Sequence, residues 1–214
     1  MLLKFISPIK MIELNPKLKE VISSINTENI PKERQESLQV LIDYVANKIK
    51  AGLPINLNFI CTHNSRRSQF SQIWAKVASV YSGIEINSFS GGVEVTAFNE
   101  RAVESLKRFG FEISAEGENN PKYFVKYSKN LKPIVAFSKL FDDETSPKEN
   151  FSAIMTCSHA DENCPFIPGA EKRIPIRYDD PKEFDGTPEE EEMYDARSIE
   201  IATEMFFLFS AINK

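Results

Sequence analysis

Apolar residues recur at two different spacings along this chain, and the change falls near residue 53. Before it, Pro16 to Ile25 is a short amphipathic helix candidate and Pro31 to Lys50 a longer one. In the second, Leu38, Leu41, Ile42, Val45 and Ile49 fall at the three- and four-residue intervals that gather side chains on one helix face. Pro31 stands at the favoured first turn, and Ala51-Gly52 ends the pattern. Residues 1–52 therefore read as an N-terminal helical extension whose apolar face packs on the domain or in a dimer.

From Leu53 short apolar runs alternate with amphipathic segments. Strand candidates are Ile55 to Ile60, Ile84 to Phe89, Phe151 to Thr156 and Arg173 to Ile176; helix candidates are Ser68 to Val80, Ala97 to Phe109 and Glu189 to Ile212. A βαβαβ order predicts an α/β domain over residues 53–214, a small four-stranded parallel sheet with helices on both faces. The acidic run after Thr187-Pro188 is a helix start: a capping hydroxyl, a first-turn proline, then acids set against the helix dipole. It needs no partner to explain it.

Composition narrows the setting. With 214 residues, 42% hydrophobic and 27% charged, the chain can bury one sizeable core. The Met1 to Ile12 run is broken by Lys4 and Lys10, and no stretch approaches the roughly 18 apolar residues of a membrane span. Neither export nor a membrane is expected. Three cysteines, an odd number, without an export signal imply reduced thiols in the cytoplasm, suited to chemistry rather than stapling. A net charge of −5 disfavours a nucleic-acid binder, so any anion site must be a local positive spot.

Such a spot is written into Cys61-Thr62-His63-Asn64-Ser65-Arg66-Arg67-Ser68, directly behind the first strand candidate. A thiol at the carboxyl end of a strand, followed by a short polar loop that opens a helix, sits where backbone N–H groups and the positive helix end converge. These favour the thiolate and bind a tetrahedral anion above it. The planar fork of Arg67 can grip two oxygens of that anion, and Ser68 can hydrogen-bond the sulfur. The plain alternative for Cys61 is a buried, inert thiol, against which stands the turn-forming polar character of the loop.

Cys157-Ser158-His159-Ala160-Asp161-Glu162-Asn163-Cys164-Pro165 also follows a strand candidate, so its thiols should emerge on the same sheet edge as Cys61. Three readings stand. Cys61, Cys157, His159 and Cys164 match zinc by ligand type, although the gap between Cys157 and Cys164 exceeds the usual zinc-loop spacing. The later pair could be incidental buried thiols. Or the two form a redox relay across a flexible polar segment, one attacking a species held on Cys61 and the other closing a disulfide. A third signal, Tyr178-Asp179-Asp180-Pro181, comes after the last strand candidate. Pro181 biases Asp180 to extended backbone, which suits a carboxylate aimed into a cleft as general acid and equally a plain turn.

Together, Cys61-Thr62, Asn64-Ser65, Arg67-Ser68-Gln69, the Cys157 to Pro165 segment and Asp179-Asp180-Pro181 resemble the thioredoxin-coupled arsenate reductases, which share the low-molecular-weight protein tyrosine phosphatase fold. The resemblance runs from about Ile55 to the C-terminus and takes in Ser90-Gly91-Gly92. It implies that Cys61 attacks arsenate, that Cys157 attacks Cys61 to release arsenite, and that Cys164 closes a Cys157–Cys164 disulfide which thioredoxin reduces. Asp180 would be the general acid and Thr62, His63, Asn64, Ser65, Arg66, Arg67 and Ser68 the oxyanion loop. No metal and no cofactor is implied.

The chain departs from the family pattern in three places. Arg66 stands where many of the reductases carry a second loop cysteine, and His63 where glycine is usual; His tolerates left-handed backbone better than most residues. The third departure is an insertion over about 117–150. In it Tyr123 to Ser128 and Pro133 to Ser138, joined through Lys129-Asn130, read as a β-hairpin, either a solvated basic face or a recognition surface for a phosphorylated partner. Two enzyme classes fit, an arsenate reductase and a hydrolase of phosphotyrosine or small phosphate monoesters. Both use Cys61, Arg67 and Asp180, and they differ in whether Cys157 or water resolves the adduct. A non-catalytic redox sensor is a third class.

Overall fold

In this computed structural model residues 12–163 and 166–212 are described. Met1 to Met11, which hold most of the lysine-broken N-terminal run, and Cys164 lie outside them. Two helices come first, α1 (Pro16–Ser24) and α2 (Lys32–Ala51). Gly52 ends α2 with φ of 65°, a left-handed cap open to glycine at no steric cost. Leu38, Leu41, Ile42 and Val45 are buried in the same cluster as Leu57, Trp74 and Phe209. Ile49, expected on that face, is instead 44% exposed, while its neighbour Lys48 is the residue of that turn that is buried, its ammonium bound to Glu171.

The sheet that carries the site is built from β1 (Asn56–Cys61), β2 (Asn87–Gly92), β6 (Phe151–Met155) and β7 (Ala170–Pro175), in the spatial order β2-β1-β6-β7 with every pair parallel. Helices α3 (Arg67–Tyr81), α4 (Glu100–Arg108) and α6 (Glu190–Ile212) accompany it. β2 begins three residues later than its apolar run suggests. Ile84 and Ile86 are buried by packing, whereas ladder pairing starts at Asn87 opposite Asn56. α4 starts at Glu100 rather than Ala97 because Asn99 caps it, its Oδ1 accepting from the amides of Arg101 and Ala102.

The chain runs from β1 to β2 on one side and returns to β6 on the other, so the strand order reverses at β1. The crevice beyond the carboxyl end of such a switch point is where α/β sheets bind ligands. Cys61 ends β1 there, and Cys157 lies just past β6.

Within 117–150 the expected hairpin is one half of a larger unit. β4 (Lys122–Lys126) pairs antiparallel with β5 (Ile134–Ala136), and also with β3 (Glu112–Glu116), giving a three-stranded sheet. β3 is Glu-Ile-Ser-Ala-Glu and largely exposed, so it lacks an apolar pattern; its partner strand supplies the buried Tyr123 and Val125. The segment from Cys157, expected to be a flexible loop, is a short helix, α5 (Ser158–Asn163). Ala160 is fully buried in it, and the carboxylate of Asp161 is ion-paired with Arg173 and Arg177. Among the described residues no helix is long and apolar enough to cross a membrane.

Candidate active site

Between Cys61 and the first residue of α3, five residues turn the chain through a tight loop. The left-handed residue in it is Asn64, at φ 46°, and not His63. Asn enters this region more readily than most side chains because it can hydrogen-bond locally. Its Oδ1 accepts from the Lys139 amide at 3.1 Å, which fixes the orientation of the side-chain amide, since a backbone N–H can only donate. Its Nδ2 then donates to Ser68 Oγ at 2.8 Å, and Ser68 Oγ lies 3.0 Å from Cys61 Sγ. Ser68 Oγ, accepting from Asn64, keeps a proton and a lone pair for Cys61, so it can donate to the thiolate or accept from the thiol.

The loop is buttressed from two sides. β2 ends in Gly92, where a Cβ would come within 2.8 Å of both the Thr62 oxygen and the Asn64 nitrogen, so only glycine lets this strand approach. Beyond it, the amides of Val93 and Glu94 donate to the Thr62 carbonyl at 2.8 and 2.9 Å. From the other side comes the segment after β5: Ser138 Oγ donates to the His63 carbonyl at 2.8 Å, and Lys139 holds Asn64 as above. The insertion thus reaches the loop from behind. His63 itself faces outward, its ring 3.4 Å from the exposed Glu94 carboxylate.

Arg66 and Arg67 converge on Asp180. Arg66 Nε donates to Asp180 Oδ1 at 2.8 Å and Arg67 Nη2 to Asp180 Oδ2 at 2.7 Å, while Arg67 Nη1 donates to the Tyr178 carbonyl at 3.0 Å. Arg67 Nε is buried and, among the described residues, has no hydrogen-bond partner. An unpartnered guanidinium donor beside this loop has a hydrogen bond to offer an anion. Asp180 has the expected extended backbone, φ −84° and ψ 119°, and caps the 3-10 turn Pro181–Phe184. Burial works against its charge, but Arg67, Arg66 and the Lys182 amide outweigh it and hold the carboxyl below the usual range. Asp179 points away, its side chain 93% exposed.

The second thiol meets the loop through a hydroxyl. Cys157 is buried, its Sγ 3.4 Å from Thr62 Oγ1 and accepting from the Ala160 amide at 3.4 Å. Thr62 Oγ1 also lies 3.3 Å from His159 Nδ1. Cys61 and Cys157 share one buried cluster with Ile60, Met155 and Ile167. Among the described residues no three His, Cys, Asp or Glu side chains converge as metal ligands.

One supporting arrangement had no sequence signal. Arg34 of α2 binds Glu204 of α6 through two hydrogen bonds, at 2.5 and 2.8 Å, and its guanidinium lies 4.7 Å over the Tyr178 ring. Tyr178 donates its hydroxyl to Glu204 at 2.6 Å, and burial, with the Glu204 charge, pushes that phenol well above its ordinary range. The carbonyl of the same Tyr178 holds Arg67, so α2 braces the loop that carries Asp180.

No family model matches the chain. It is 31% identical over 132 residues to the arsenate reductase of Halalkalibacterium halodurans, a match covering 62% of this chain and 78% of that protein. With the arsenate reductase of Staphylococcus aureus strain Newman it is 32% identical over 148 residues, 69% of this chain and 92% of the relative. Among solved structures, a low-molecular-weight phosphotyrosine phosphatase from Vibrio cholerae O395 superposes with a TM-score of 0.52 at 13% identity, over 75% of this chain and 97% of that one. That likeness is one of fold.

Proposed function

Since the chain belongs to the arsenate reductase family, we propose that it reduces arsenate through thiol steps that begin at Cys61. The Cys61 thiolate attacks arsenic(V), and one arsenate oxygen leaves as water, taking a proton from Asp180. Cys157 as thiolate then attacks the Cys61 sulfur. The S–As bond pair departs with arsenic, which becomes arsenite, and the two thiols are oxidised to a Cys61–Cys157 disulfide. Cys164 attacks Cys157, freeing the Cys61 thiolate and leaving a Cys157–Cys164 disulfide for thioredoxin to reduce. The setting is a reducing cytoplasm. Residues 53–214 carry this chemistry, and α2 braces it through Arg34.

The observation that carries the reading is the contact between Thr62 and Cys157. A residue of the oxyanion loop touches the second thiol, on the strand edge beside Cys61. Hydrolysis of a phosphocysteine by water has no use for such a thiol. The electrostatics fit as well: Asp180 is held ionised by Arg67 and Arg66, and an arsenate that engages Arg67 draws away part of that field, so that Asp180 can carry a proton. The phosphatase reading keeps its footing in Cys61, Arg67 and Asp180, which suffice for phosphate ester hydrolysis.

Arsenate-dependent NADPH oxidation, coupled through thioredoxin and thioredoxin reductase, should run with the wild type and stop with Cys157→Ser, while aryl phosphate hydrolysis on the same preparations is equal. NADPH loss that persists in Cys157→Ser overturns the relay. Hydrolysis alone, unaffected by the substitution, makes the protein a phosphatase.

A further inference from the structure

Away from Cys61, between the insertion sheet and the outer edge of β2 and α3, lies a cleft of about 490 Å³ lined by Lys76, Lys122, Lys132 and Lys139 together with Phe89 and Phe137. No aspartate or glutamate lines it. In a chain of net charge −5 that is an unusual concentration of one sign. The lysines that form ion pairs among the described residues are Lys48, Lys107, Lys126 and Lys129, none of them in the cleft. Asp143 and Glu85 act on Lys139 and Lys76 only from beyond contact distance.

Lys139 is the sharpest feature. It is 5% exposed, and its ammonium faces a ring, Nζ lying 4.6 Å from the Phe137 centroid. Lys122 Nζ lies 5.5 Å from the same centroid. Burial pushes the Lys139 ammonium down to about 8, with Asp143 pulling the other way. A buried ammonium with no carboxylate in contact is costly and gains from any anion that reaches it. Its backbone is locked in place, the amide donating to Asn64 and the carbonyl accepting from Gly92 at 2.8 Å, so the side chain cannot withdraw by a backbone shift without disturbing the loop.

We propose that this cleft binds a phosphate monoester of a flat ring, a nucleoside or aryl monophosphate, with its dianion among the four lysines and its ring against the wall that bears Phe137. Several cations without a counter-charge ask for at least two negative charges, and the aromatic lining asks for a planar apolar body. The volume falls within the range of small-ligand sites, about 300–1,000 Å³.

Pyridoxal 5′-phosphate is a suitable probe, being a flat-ring phosphate whose aldehyde forms an imine with a neutral lysine amine, with loss of water, that borohydride fixes. Peptide mass mapping should find the label foremost on Lys139, although every other lysine among the described residues is more exposed. AMP should protect Lys139 at a concentration at least about tenfold below that of inorganic phosphate, tenfold being about 1.4 kcal/mol for the ring. The exposed double variant Lys122→Gln/Lys132→Gln should raise the probe concentration for half-labelling about tenfold. Arg67→Met, which weakens anion binding at the oxyanion loop, should leave the Lys139 label in place. Labelling that tracks exposure and leaves Lys139 last, an unchanged double variant, protection by inorganic phosphate equal to that by AMP, or loss of the label in Arg67→Met each overturns the site.

Discussion

Asp180 Oδ2 accepts a hydrogen bond from Arg67 Nη2 at 2.7 Å, so the carboxylate proposed to give up a proton is tied to the guanidinium proposed to hold the oxyanion. One contact therefore sets both the affinity for anion and the protonation of the acid. Asp180→Asn should slow single-turnover arsenite release about 10²- to 10⁴-fold, the usual contribution of a general acid. Rapid-quench rates equal to wild type would remove Asp180 from that role. The same pair contributes to stability with a definite pH dependence. Because the folded-state carboxyl titrates below its unfolded value of roughly 3.9, its contribution is complete above about pH 5 and disappears as pH falls through the lower folded value. Urea melts of wild type and Asp180→Asn should thus differ at neutral pH and converge toward strong acid.

Ser68→Ala removes the hydroxyl that points at Cys61. A hydrogen bond to a charged group contributes about 1.5–3 kcal/mol, so alkylation of Cys61 by iodoacetamide at neutral pH should slow at least tenfold. Mass mapping of the modified peptide keeps the measurement on Cys61. An unaltered rate would mean that Ser68 does not stabilise the thiolate.

Thr62→Val keeps the volume of the loop residue but breaks its contacts with Cys157 and His159. Coupled arsenate turnover should fall by roughly threefold to tenfold, the worth of one lost hydrogen bond, while aryl phosphate hydrolysis is nearly unchanged. Equal losses in both assays would assign Thr62 to the loop alone.

Cys164→Ala should release about one arsenite per enzyme and then stop, with the enzyme trapped as the Cys61–Cys157 disulfide. Counting arsenite against enzyme in the presence of thioredoxin decides it: continued turnover takes Cys164 out of the relay.

Arg34→Met leaves the Glu204 carboxylate buried against Tyr178 without its cation. Breaking such a pair costs roughly 3–5 kcal/mol, and the partial exposure of Arg34 brings the expectation toward about 3 kcal/mol. Denaturant midpoints measure this directly. Loss of arsenate turnover in the still-folded variant would show that α2 positions the Asp180 loop as well as stabilising the fold.

The central strands β1 and β6 were legible from apolar spacing because strands of a parallel sheet buried on both faces need near-continuous apolar runs, which leave a one-dimensional trace, whereas the edge strands β2 and β7 are more polar and more exposed. The oxyanion loop was legible for a similar reason: strand end, five polar residues and helix start are contiguous, so Cys61, Asn64, Arg67 and Ser68 are set by local geometry. What the spacing could not contain was every relationship that joins distant segments. That Asn64 rather than His63 takes the left-handed backbone is due to the amide of Lys139, seventy-five residues away in sequence. That Gly92 must be glycine is due to how closely β2 passes the loop. β3 has no apolar pattern because its partners supply the burial, and the helix after Cys157 depends on Asp161 meeting arginines from β7 and just beyond it. Residue types and local order were determined by the sequence alone; which Asp meets which Arg, and which hydroxyl meets which thiol, was decided by tertiary packing, since such contacts depend on distance in space and leave no period along the chain.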